Sequence, residues 1–86
     1  MDKYKLPLEV RKTTVYEQIA EIQKIIFRNE IEDRVAKITG NKATQKEVTY
    51  NNEQLREKID VLFDVLKELY AEDKNSSNIT KPGSAV

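Results

Sequence analysis

Residues 48–70 read VTYNNEQLREKIDVLFDVLKELY, and the order of their apolar residues decides the fold. Val48, Asn52, Leu55, Ile59, Leu62, Leu66 and Leu69 follow one another at alternating steps of four and three. A helix turns about 100° per residue, so this spacing lines the seven residues along one side of a helix. Asn52, Ile59 and Leu66 take the a positions of a heptad and Val48, Leu55, Leu62 and Leu69 the d positions, the pattern of helices lying side by side at a shallow angle. Phe63, Val65 and Tyr70 flank the stripe and widen it beyond a two-stranded seam, which predicts more than one neighbour. Asn52 has two readings: a buried amide that fixes register across a dimer, or a helix-start residue, since Asn51-Asn52 precedes Glu53-Gln54. Thr44-Gln45-Lys46-Glu47 has the form of a capping box, so this helix is expected to begin between Gln45 and Asn52, after a polar connection that starts at Asn41.

Upstream, Thr14-Val15-Tyr16-Glu17 has the same capping form and predicts a helix start. Val15, Ile19, Ile22 and Ile26 form one stripe; Phe27, Ile31, Val35 and Ile38 form a second, rotated by roughly 140° about the axis. One continuous helix whose halves meet different neighbours accounts for this. A break at Asn29, where Asn29-Glu30-Ile31-Glu32 offers another cap, would instead make three helices; with no Gly or Pro inside the segment, the continuous or kinked helix is the expectation. Gly40 is the expected stop.

Ahead of Thr14, Tyr4, Leu6, Leu8 and Val10 alternate with Lys5, Pro7, Glu9 and Arg11, which is strand periodicity. Pro7 cannot donate to a ladder, so an edge strand or extended arm is expected. After Glu72 the composition turns to Asp, Lys, Asn, Ser, Gly and Pro, the signature of disorder. The expected organisation is an extended arm over residues 1–12, a helical domain over 13–72 and a disordered tail over 73–86. The fold class is all-α: an antiparallel helical hairpin paired into a dimeric bundle.

An 86-residue chain buries only about 60% of its unfolded surface, so a monomeric core would be thin. The chain has no cysteine for disulfides, which leaves association as the common remedy. With Leu55, Ile59, Leu62, Leu66 and Leu69 packed on Val15, Ile19, Ile22 and Ile26, the residues left for a dimer or partner surface are Phe27, Ile31, Phe63, Val65 and Tyr70.

Chemistry has little to work with. Cysteine and histidine are absent, two glycines cannot build a phosphate loop, and no serine sits in a nucleophile pattern, so neither an enzyme nor a bound cofactor or metal is expected. Glu53, Glu57, Asp60, Asp64 and Glu68 make an acidic row at helical spacing, read as a solvated face. The longest apolar run, Ile25-Ile26-Phe27, is far short of the roughly 20 residues of a membrane span, and a cytoplasmic protein is expected.

Fifteen basic and fifteen acidic residues cancel, against the footprint of a nucleic-acid binder, yet Lys3, Lys5, Arg11 and Lys12 cluster at the N-terminus. An alternating arm followed by two helices resembles, in outline, the ribbon-helix-helix repressors, which pair such strands across a dimer to read DNA. Pro7 and a following helix about twice the length that family uses depart from the pattern. A helix-turn-helix opening near Thr44 is a second DNA-binding outline, without the turn glycine. The expected function is therefore protein–protein binding as a homodimer or higher oligomer, by an adaptor, assembly factor or inhibitor whose partner the sequence does not name; a DNA-binding regulator is the alternative. Such economy is in the style of the small accessory proteins of phages and mobile elements.

Overall fold

Among the described residues, two helices are joined by a connection of only Gly40 and Asn41. The computed structural model describes residues 5–80, with side chains through Lys74. Helix α1 spans Leu8–Thr39 and helix α2 spans Lys42–Thr80. Among the described residues there is no strand, and no helix is long and apolar enough to cross a membrane.

The turn is built by Gly40, whose φ of 71° is left-handed and costs a residue without a Cβ least. The Asn41 N–H donates to the Ala36 carbonyl at 2.8 Å and the Gly40 N–H to that of Lys37 at 3.4 Å, a Schellman closure that satisfies carbonyls the helix end leaves open. Asn41 then caps the next helix, accepting at Oδ1 from the Thr44 N–H at 3.1 Å. Helix α2 therefore starts at Lys42, not between Gln45 and Asn52, and the polar segment expected to connect the helices is helical from Lys42 onward. No turn lies between Thr44 and Asn52, so the helix-turn-helix outline has no counterpart.

At the other end, α1 begins at Leu8, six residues ahead of Thr14. The Thr14 hydroxyl donates to the Val10 carbonyl at 2.8 Å and that of Thr13 to Glu9 at 3.0 Å, so both threonines satisfy themselves inside a helix instead of capping one. Pro7 takes the N-cap place with φ −54° and ψ 150°, where its missing N–H costs nothing. The strand-like alternation continues into this helix because the described residues hold no second strand to pair with it. Of the arm expected over residues 1–12, residues 8–12 are thus helical and residues 1–4 lie outside the described residues; of the tail expected over 73–86, residues 73–80 continue α2 and residues 81–86 lie outside.

Helix α1 runs through Asn29 without a break. Its seam with α2 keeps the heptad step throughout: Lys12, Val15, Ile19, Ile22, Ile26, Asn29, Asp33 and Ala36 are all buried or half-buried. The apolar centre lies toward the open end, where Val15, Ile19, Leu66 and Leu69 form the core and Leu8, Ile59, Leu62 and Val65 pack on it. Toward the turn the seam becomes small and polar: Ala36 and Val48 are both buried, and Gln45 Nε2 donates to the Ala36 carbonyl at 3.3 Å.

The result is a slab of 67 × 28 × 14 Å, one helix diameter thick. Its radius of gyration is 19.7 Å, against about 12 Å for a compact domain of this length. No described side chain falls below 2% exposure. A single layer of two helices can cover only the strip where they touch.

Candidate partner-binding face

The side chains that cross between the helices fix their relative height and define two broad faces. Near the open end the Tyr16 and Tyr70 hydroxyls share a hydrogen bond of 2.9 Å, and this bond, ahead of partial burial, holds the Tyr16 phenol above its ordinary pKa. Lys12 reaches over the Tyr70 ring, its Nζ 4.2 Å from the centroid, and donates to Asp73 at 3.0 Å. That hydrogen bond raises the lysine pKa against the opposing effect of burial. Beside it Arg11 grips Glu72 with two parallel bonds of 3.0 Å each and holds the Glu72 carboxyl below the usual carboxylate range. Halfway to the turn Asn29 Nδ2 donates to Asn52 Oδ1 at 2.8 Å.

Tyr16 and Phe27 stand eleven residues apart, three turns of α1, and Arg56, Phe63 and Tyr70 stand seven apart on α2. Because Tyr16 touches Tyr70, both rows border one face of the slab, and that face carries four aromatic rings at its surface. Phe27 is 63% exposed; Tyr16, Phe63 and Tyr70 each keep nearly half their surface open. Phe27, Glu30, Ile31 and Arg34 line a shallow depression on this side of α1. The opposite face bears an open groove lined by Ile22, Val61 and Leu62 among Gln18, Gln54 and Lys58.

The five residues read from the sequence as a partner surface therefore divide. Phe27, Phe63 and Tyr70 share the aromatic face, and Ile31 borders it, half exposed. Val65 packs partly against the core from the other side. Asn52 is 5% exposed and meets Asn29 of its own chain, so it registers α1 against α2. Of the basic cluster, Arg11 and Lys12 are bonded to Glu72 and Asp73, Lys5 lies 3.9 Å from Glu72, and Lys3 is outside the described residues. The acidic row sits on the side of α2 turned away from α1, and among the described residues no three carboxylates converge to hold a metal ion.

Sequence reasoning missed the contacts that Tyr16, Lys12 and Asn29 make between the helices, reading Lys12 only as part of a basic cluster and Asn29 only as a possible break. Their signal was the heptad step itself, which runs through Lys12 and Asn29 as regularly as through the isoleucines, but a search for apolar residues skips polar ones. Compared with protein-family models, curated proteins and solved structures, the chain matches none.

Proposed function

We propose that this chain is a small non-enzymatic protein–protein interaction module, an adaptor, assembly factor or inhibitor, that works as a homo-oligomeric helical bundle. The observation that carries this reading is the row of exposed aromatic side chains, Tyr16, Phe27, Phe63 and Tyr70, along one face of a slab only 14 Å thick. Tyrosine and phenylalanine are enriched in protein interfaces, and contiguous apolar surface on a small protein marks a place of association. The basic cluster supports the DNA-binding alternative less well, because Arg11 and Lys12 already neutralise Glu72 and Asp73 and have little charge to offer phosphates.

Light scattering on the full chain over a range of concentrations tests the reading. Association is expected, and Phe27→Asp is expected to weaken it with helical content unchanged. Burying such a ring contributes on the order of 1.5–3 kcal/mol, so the loss amounts to roughly tenfold to a hundredfold in dissociation constant. A chain that stays monomeric at every concentration, together with tight duplex-DNA binding that weakens steeply with salt and vanishes in Arg11→Ala/Lys12→Ala, would transfer the case to the alternative.

A further inference from the structure

We infer that the outer edge of α1, over the half nearest the turn, docks on an anionic membrane surface and seats itself in the headgroup layer without crossing it. This goes beyond the protein-binding reading and concerns a different surface, which meets the aromatic face only at Phe27.

In this half of α1 the seam runs through Ile26, Asn29, Asp33 and Ala36. At about 100° per residue, Ile31 and Ile38, each two residues past a seam position, lie on the side of the helix turned away from α2. Phe27 and Val35 flank that line, and all four are exposed, Ile38 at 86%. The charged residues on the same outward arc are Lys24, Arg28 and Arg34, each exposed. Arg28 and Arg34 have no ion-pair partner among the described residues, and Lys24 meets Glu21 one turn back at 3.3 Å. No carboxylate stands among the seven: Glu30 and Glu32 turn toward the two broad faces, and Asp33 lies in the seam, paired with Lys37 at 2.9 Å. Apolar side chains interleaved with bases suit a helix lying in an anionic headgroup layer, where the apolar groups reach the acyl boundary and the long basic side chains bend up to the phosphates.

The chain is neutral as a whole, but its acids lie elsewhere. Glu53, Glu57, Asp60, Asp64 and Glu68 sit on the side of α2 turned away from α1, across a slab 28 Å wide. Charges are screened over about 8 Å in physiological salt, so that row lies about three screening lengths from a surface under α1 and does not repel it. Glu17 and Glu21 continue the edge of α1 beyond Lys24. They confine the basic stretch to the turn half, and the molecule settles with its turn end down.

Size separates a lipid surface from a protein partner. From Lys24 to Ile38 the stripe is about 21 Å long and about 10–12 Å wide. Its footprint of roughly 250 Å², even doubled for surface relief, falls short of the roughly 800 Å² per partner in a specific protein interface. Lipid binding has no such minimum, because it grows with each apolar side chain inserted and each base held near anionic headgroups. A nucleic acid would engage the bases and leave the four apolar side chains in water.

The test is sedimentation of the full chain with vesicles of phosphatidylcholine alone, and of phosphatidylcholine mixed with phosphatidylserine at about three to one. Binding is expected to the mixed vesicles only, and to weaken as salt is raised. Arg28→Ala/Arg34→Ala is expected to lower the partition coefficient by roughly tenfold or more, and Ile31→Asp to do the same, with circular dichroism reporting unchanged helix. Val61→Asp, at an exposed position on α2, leaves binding as it is. No binding to the mixed vesicles at low salt overturns the inference. So does binding that survives Ile31→Asp, or that falls equally in Val61→Asp. A parent chain that ignores vesicles, with self-association lost in Ile31→Asp, assigns the stripe to a second copy and overturns the inference too. None of these outcomes decides the protein-binding reading, which stands or falls on light scattering of the parent and Phe27→Asp.

Discussion

The hydrogen bond between Asn29 and Asn52 joins two side chains midway along the seam, and its worth lies in what happens when one partner is removed. Asn52 is almost wholly buried, and Asn29→Ala strips its carbonyl of the donor. An unsatisfied buried acceptor costs about 1–3 kcal/mol, so urea denaturation of Asn29→Ala should show a loss in that range. Replacing both residues by leucine should recover much of it, because an apolar pair of similar size needs no partner atoms. A double variant less stable than the single would show that the amide pair does more than satisfy itself. At the open end the ionic clasp titrates. Arg11 depresses the Glu72 pKa in the folded chain, so this carboxylate's contribution is complete above its unfolded value of about 4.3 and is lost as pH falls through the lower folded value. Lys12 and Tyr16 shift the other way, upward, so their contributions hold below about pH 10 and are lost as pH rises beyond it. The melting temperature should therefore decline on both flanks, and Glu72→Gln should flatten the acid flank only. An acid flank of unchanged slope in that variant would remove the clasp from the account.

At the scale of the helix, the length of each element is set by tertiary contact. Capping forms at Thr14, Asn29 and Thr44 are all present in the sequence, yet none starts a helix, because the turns on either side of each pack along the seam and reward continuing. Only the junction at Gly40 and Asn41 stops the chain, by combining a left-handed residue with a side-chain cap. A Cβ at Gly40 would meet nothing within 4 Å, so Gly40→Ala isolates the backbone term. The cost should be about 1 kcal/mol, read from the urea midpoint, with Gly40→Asn costing less because asparagine tolerates the left-handed region. A Gly40→Ala variant as stable as the parent would mean that the chain turns some other way. Leu66, one of the most buried core residues, belongs to the same scale. Leu66→Ala should cost on the order of 2–5 kcal/mol by the same measurement, a large share of what so thin a core can hold.

At the scale of the molecule, the described residues form a hairpin without a second layer. Exposed Phe27, Ile31, Val35 and Ile38 all lie on α1 outside the seam, Ile38 being 86% open to water. If association covers part of this surface, folding and binding are linked, and the melting temperature should rise with protein concentration. Scanning calorimetry at two concentrations about a hundredfold apart checks this, and Phe63→Asp should shrink the shift between them. A wild-type transition that does not move would mean that the hairpin stands alone.

What the residues determined by themselves is the helical class, the antiparallel pairing and the core of α2. The heptad of residues 48–70 cannot be satisfied by a strand, and Gly40 can end a helix but hardly sit inside one. The continuity of α1 through Asn29 was also legible, since nothing in that segment breaks a helix. Tertiary structure alone decided where the helices begin and end, and which polar residues enter the seam. Local capping signals are worth about 1 kcal/mol each, and a turn of helix packed along a partner outweighs them. For the same reason Asn52 found its partner inside the chain, and the aromatic residues of both helices came to one face: the heptad orders each helix separately, but only the height at which two helices dock says which rows lie side by side.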